Sequence, residues 1–204
     1  MIAQIVPPQA FEIVRDRIAQ VLNDEFQNQA TLMNTAVPNS GIYLASTVVD
    51  VELKKPVDKT EVPTVIVSVI EDTFSDKDQR SMKGLVSYAV DVYTSGKQTG
   101  NIPGDKVSGL RLQKMLGLIR YILSDAIYKT LLFAPGVIGG TMVNGFQIRA
   151  NDPNDADNTS MARLAFGVIV LEQNTLLAAP MVSGTQTTTT FDNTSIGYVI
   201  EQTF

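Results

Sequence analysis

Apolar residues recur at helical spacing in two stretches of this chain and at every second position in several others. Phe11, Val14, Ile18, Val21 and Leu22 share one face, with Phe26 a turn beyond, while Glu12, Arg15, Asp16, Arg17 and Gln20 fill most of the other. With Pro7 and Pro8 just ahead, where a helix tolerates proline, the spacing predicts an amphipathic helix over about 9–24. The second stripe is Leu112, Met115, Leu116, Ile119, Ile122, Leu123 and Ala126, punctuated by Arg111, Lys114, Arg120 and Asp125. It predicts a long helix, capped by Asp105 or Ser108 and running to about Leu132.

The period-two segments read as strands. Residues 27–41 are polar and small and close on the turn signal Pro38-Asn39-Ser40-Gly41. Three strands are expected next, at Ile42–Leu53, Thr64–Ile70 and Leu85–Tyr93. In the third, Val86, Tyr88, Val90 and Val92 face one way and Ser87 and Asp91 the other. Short polar connections suggest antiparallel neighbours. After the long helix, Met142–Ala150 places Phe146 and Ile148 opposite Gln147 and Arg149, and Ala162–Glu172 has so few polar positions that a strand buried on both faces is expected. The order helix, three strands, helix, two strands implies an α+β domain with a largely antiparallel sheet over residues 1–177. Residues 178–204 form an extension: the run Ser183–Thr190 is polar and uncharged, and Ile196, Tyr198, Ile200 and Phe204 then alternate as a strand able to join a sheet edge of its own copy or a neighbour's.

Composition narrows the chemistry. The 204 residues include no histidine, cysteine or tryptophan, which removes the usual neutral-pH proton carrier, thiolate chemistry and the strongest transition-metal ligands. Hydrophobic residues are 44% and charged residues 18%, an ordinary globular balance, and the net charge of −5 argues against a general phosphate-binding surface. The first eight residues lack the features of a secretory signal, and no apolar run approaches the roughly 18 residues of a membrane span, so function in the cytosol or in a particle assembled there is expected.

The motifs weigh the same way. Asp152, Asp155 and Asp157 resemble calcium ligands, but no register supplies the glycine and glutamate of an EF-hand loop, and a solvated hairpin is the better reading. The loop Gly96–Gly104 precedes a helix without Walker spacing or G-x-G-x-x-G, so it reads as an exposed connection. With no histidine to serve as base and no carboxylate pair picked out by spacing, no catalytic, cofactor or metal residue is assigned and no enzymatic activity is expected. Gly109 and Gly117 in the second helix raise the alternatives of a close backbone approach or simple tolerance. Arg111, Lys114, Arg120 and Lys129 give that helix a basic surface on an acidic protein, which suits a contact between acidic loops and basic helices of neighbouring subunits. Candidate contact residues are therefore Arg111, Lys114, Arg120, Asp152, Asp155, Asp157, Tyr198, Ile200 and Phe204.

The amphipathic first helix, the strands Thr64–Ile70 and Gly84–Tyr93, the long helix and the paired strands together resemble a bacteriophage tail terminator, or tail completion, protein over roughly residues 9–173. The resemblance rests on element order, length and texture. It implies a protomer of a homohexameric ring that caps the finished tail tube, contacts the tail tube protein and the neck or head connector, and lets DNA pass through its channel without specific binding. It implies a place in the virion, no cofactor and no membrane partner. The segment after Leu177 is longer than in compact members, and a sheath or neck neighbour is a candidate partner for it. Another head–tail joining protein is the nearer alternative, and a ligand-binding or enzymatic α+β domain the more distant one.

Overall fold

The computed structural model describes residues 8–53, 63–74, 84–149 and 158–171. Helix α1 (Ala10–Ala36) opens where the Gln9 N–H donates to Glu12 Oε2 at 2.6 Å, satisfying a donor that the first turn leaves free. Val14, Ile18, Leu22 and Phe26 are buried along its inner face, as the stripe predicts. The helix continues a dozen residues past the predicted end at Asp24. Ala30 is buried on the same stripe, because Gly41 brings the returning chain against it: a Cβ on Gly41 would lie 2.5 Å from the Ala30 carbonyl oxygen. The Asn34 side chain then accepts the Gly41 N–H at 2.8 Å.

The expected strand Ile42–Leu53 divides in two. Ile42–Ala45 forms a single helical turn, α2, and only Val48–Val51 becomes strand β1. The hydroxyls of Ser46 and Thr47 both donate to the Tyr43 carbonyl, at 3.2 and 2.9 Å, a local bond that competes with a sheet ladder. Strands β2 (Thr64–Phe74) and β3 (Gly84–Ser95) follow, then helix α3 (Gly104–Ser124), β4 (Ile138–Arg149) and β5 (Thr159–Val170). The sheet order is β1-β2-β3-β5-β4. All neighbours are antiparallel except β1 and β2, which run parallel instead of antiparallel as expected. The connection 52–63 is about the dozen residues that a parallel return requires. The class is α+β with a mostly antiparallel sheet.

Both long helices lie on one face of this sheet, α1 over β1 and β2 and α3 over β3, β5 and β4. Cross-strand partners project to the same side. The rows Val65–Val92–Ala162, Val67–Val90–Leu164 and Tyr88–Phe166 therefore build the core beneath the helices. Tyr88 is fully buried there and donates its hydroxyl to the Phe11 carbonyl at 3.0 Å. Strand β5 is interior to the sheet but is not buried on both faces, since the helices among the described residues all lie on one side: Ile169 and Leu171 on the other side remain partly in water. Helix α3 ends at Ser124, short of Leu132, because the Asp125 carboxylate accepts the Ile127 N–H at 2.8 Å and turns the chain away.

One tie between α1 and the segment after α3 has a pH signature. The Tyr128 hydroxyl donates to Glu25 Oε2 at 2.8 Å, and burial followed by that carboxylate pushes the Tyr128 pKa up to about 12 from an ordinary 10. A folded value above the unfolded one means that the stabilisation is whole below about pH 10 and is lost as pH climbs through about 12. Tyr128→Phe should cost about 1 kcal/mol in urea unfolding at neutral pH. The gap between the two proteins should close across that alkaline window.

Candidate interaction surfaces

Helix α3 is anchored at its first turns by three small polar groups that sequence spacing does not single out. Thr94 of β3 donates to the Ser108 carbonyl at 2.9 Å, and the Ser108 and Ser160 hydroxyls lie 2.8 Å apart. All three residues are buried. Ser108 is thus a link between α3 and β5 and not the helix cap; Pro103 holds the cap position and offers no side-chain bond, while Asp105, inside the first turn, accepts the Lys106 N–H at 2.7 Å. The preceding loop is closed and compact. Thr99 and Ile102 exchange backbone bonds of 3.1 Å around Gly100, whose φ of +60° suits glycine. A Cβ on Gly104 would lie 2.5 Å from the Gly96 carbonyl oxygen, so the two glycines that bound the loop meet back to back. That contact leaves no room for a phosphate cradle between them.

This anchorage places two of the predicted contact residues in one groove. Arg111 and Lys114, a turn apart on α3, share a cleft of about 580 Å³ with Ile42, Tyr43, Ile102 and Leu110. Arg111 donates to the Ser95 carbonyl at 3.1 Å, which fixes its position at the groove wall. Burial pushes the Tyr43 pKa up while the nearby Arg111 guanidinium pulls the other way. Ile42, Ile102 and Leu110 are exposed, so the groove is an apolar trough with a basic rim. Arg120 is exposed elsewhere on α3 and does not line it. Lys129 lies beyond the helix end, beside Gly140.

The face of the sheet away from the helices carries a cross-strand ion pair. Asp91 and Arg163 are register partners, joined by two bonds of 2.7 and 2.6 Å, with the carboxylate side chain 8% exposed and the guanidinium 43%. Two parallel bonds to a largely buried carboxylate make this more than a surface pair. Arg163→Met should cost about 2 kcal/mol, read as a lower urea midpoint, since it strands the Asp91 charge. Toward the other end of β3 and β5, Leu85, Met142, Ile169 and Leu171 are between 39% and 52% exposed.

Strand β4 forms a further exposed surface. Among the described residues it pairs only with β5, and every residue from Asn144 to Ile148 is exposed. Among the described residues nothing lies within 4 Å of the space a Cβ would fill at Gly109 or Gly117 of α3, so no close approach there demands them. Asp152, Asp155 and Asp157, and Tyr198, Ile200 and Phe204, lie outside the described residues. Among the described residues no cluster of three metal-ligating side chains occurs, and no helix is long and apolar enough to cross a membrane. No known family profile matches the chain, and no curated protein matches it in sequence.

Proposed function

We propose that this chain is a protomer of a ring-shaped structural component of a phage virion, one that caps the finished tail tube and joins it to the neck of the head. The observation that carries the reading is the presence, among the described residues, of two different exposed surfaces on one domain. The trough beside Arg111 and Lys114 lies between α2 and α3, and the bare strand β4 lies at the sheet edge. A closed ring of identical subunits needs such a heterologous pair, because each copy must present one patch and receive on another. A two-fold dimer would need only one self-complementary patch. The element order, helix, strands, long helix and paired strands, is what the resemblance to tail terminators rests on. The acidic balance of the chain, −5 overall, suits a channel that DNA passes without adhering.

Mass photometry of the purified chain, alone and with isolated tail tubes, tests the proposal. A closed ring that binds one end of the tube is the expected result. A strict monomer at high concentration, unchanged by added tubes, would overturn it. Rings that bind neck components but leave tubes untouched would move the assignment to another head–tail joint.

A further inference from the structure

Asn144 of β4 is placed to lose its own side-chain amide. Gly145 follows it, and this is the one Asn-Gly step in the sequence. The register with β5 jumps here, from Val143 opposite Phe166 to Gly145 opposite Ala165, so Asn144 is the extra residue of a bulge and has no partner across the ladder. It is exposed, and among the described residues no hydrogen bond holds its amide. Its Nδ2 lies 3.7 Å from the point that a Cβ on Gly167 would occupy, on the face of the sheet away from the helices. At Gly145 nothing among the described residues comes within 4 Å of the space a Cβ would fill. Strand β4 is paired on one side only among the described residues, so opening the bulge disturbs a single ladder. Other asparagines are better held. Asn28 and Asn34 lie in α1, where Asn28 donates to Glu25 Oε1 at 3.0 Å and Asn34 accepts the Gly41 N–H. Asn101 is as exposed as Asn144, but β-branched Ile102 follows it, and the Ile102 N–H is engaged by the Thr99 carbonyl at 3.1 Å.

We infer that the Asn144–Gly145 step is a site of spontaneous deamidation. The Gly145 backbone nitrogen, with no side chain beside it, attacks the Asn144 Cγ. The N–Cγ bond forms and the Cγ–Nδ2 bond breaks, and the amide leaves as ammonia with the proton that Gly145 gives up. Water then opens the cyclic imide at either carbonyl. One opening yields aspartate, the other its isomer, in which the main chain runs through the former side-chain carbon. Both exchange a neutral amide for a carboxylate. That charge falls on a strand that reads Ile-Gly-Gly-Thr-Met-Val-Asn-Gly-Phe-Gln-Ile from 138 to 148, uncharged throughout. Charges on edge strands are a common means of keeping edges from pairing, so a chain that reacts before assembly carries a guard on β4 that the fresh chain lacks. The guard rests on the reading of β4 as a contact surface of the ring; the chemistry does not.

The test incubates the full chain at mildly alkaline pH in water enriched in heavy oxygen, followed by digestion and peptide mapping by mass spectrometry. Loss of the Asn144 amide, with aspartate and isoaspartate products that both carry heavy oxygen and with Asn101 intact, is the expected result. An Asn144 amide that survives as long as that of Asn101 would overturn the inference. Aspartate formed without its isomer would also overturn it, because direct hydrolysis and not attack by Gly145 would then be the route. The guard is measured separately, by sedimentation velocity of Asn144→Asp, which installs the charge in every copy, beside Asn144→Ser. Self-association of the Asp variant should be weaker by about tenfold, with matching circular dichroism spectra. Equal association of the two variants, in a chain whose wild type assembles, would overturn the guard and leave the ring standing. A wild-type chain that never self-associates would overturn the ring and the guard together, while the peptide map still decides the deamidation.

Discussion

Gly96→Ala should lower the melting temperature by about 5–10 °C, while Gly109→Ala should raise it by about 2–4 °C. Both substitutions add the same methyl group, and the surroundings decide the sign. A Cβ at Gly96 would sit 2.6 Å from the Ser108 backbone nitrogen and 2.9 Å from Val107 Cβ, and against the Gly104 carbonyl oxygen. Those atoms belong mostly to backbone in the first turns of α3, which cannot rotate aside as a flexible side chain would. Relief requires moving the helix start, and with it the buried Thr94–Ser108–Ser160 link, a strain of about 2–3 kcal/mol. For a chain of this length each kcal/mol shifts the melting midpoint by about 2–4 °C. At Gly109 nothing among the described residues lies within 4 Å of an added Cβ, and alanine gains about 1 kcal/mol of helix propensity. Differential scanning calorimetry of the two variants measures both shifts. Equal shifts of the same sign would mean that the loop is not closed against α3 as described.

That contrast marks what could be read from sequence. Both helices were legible because their apolar residues repeat at helical spacing for several turns, and that periodicity needs no knowledge of neighbours. Strands β3 and β5 were legible for the analogous reason, with Val86, Tyr88, Val90 and Val92 on one side. The last turns of α1 were not, since Gln27 to Gln29 and Thr31 give no stripe and the helix there depends on Ala30 meeting Gly41. Segment 42–53 was misread because β-branched residues favour strands in general, whereas Ser46 and Thr47 bind the Tyr43 carbonyl locally. The misreading hid half of the groove. Arg111 and Lys114 were visible as cations on α3, but the wall that turns them into a trough is α2, which had been assigned to a strand. The meeting of Gly96 with Gly104 is a tertiary contact between two residues chosen for having no side chain, and neither motif nor periodicity announces it.

Lys114→Glu, and more strongly Arg111→Glu combined with Lys114→Glu, should weaken self-association by about 10–100-fold and flatten its dependence on salt. The trough offers apolar area from Ile42, Ile102 and Leu110 for adhesion, and its two cations select what enters. On a chain with net charge −5, copies repel one another on average, so a basic rim is where an acidic stretch of a neighbour is best received. Reversal replaces that attraction by like-charge contact, which raises dissociation and slows encounter together. Arg111 also bonds the Ser95 carbonyl, so the double variant loses a fold contact as well. The Lys114 single variant separates the two effects, because Lys114 is exposed and its replacement should leave the melting temperature within about 1 °C. Sedimentation velocity at low and high salt gives the association constants. If Lys114→Glu assembles as tightly as the wild type under both conditions, the trough is not a subunit contact. The proposed ring would then have to close through other surfaces.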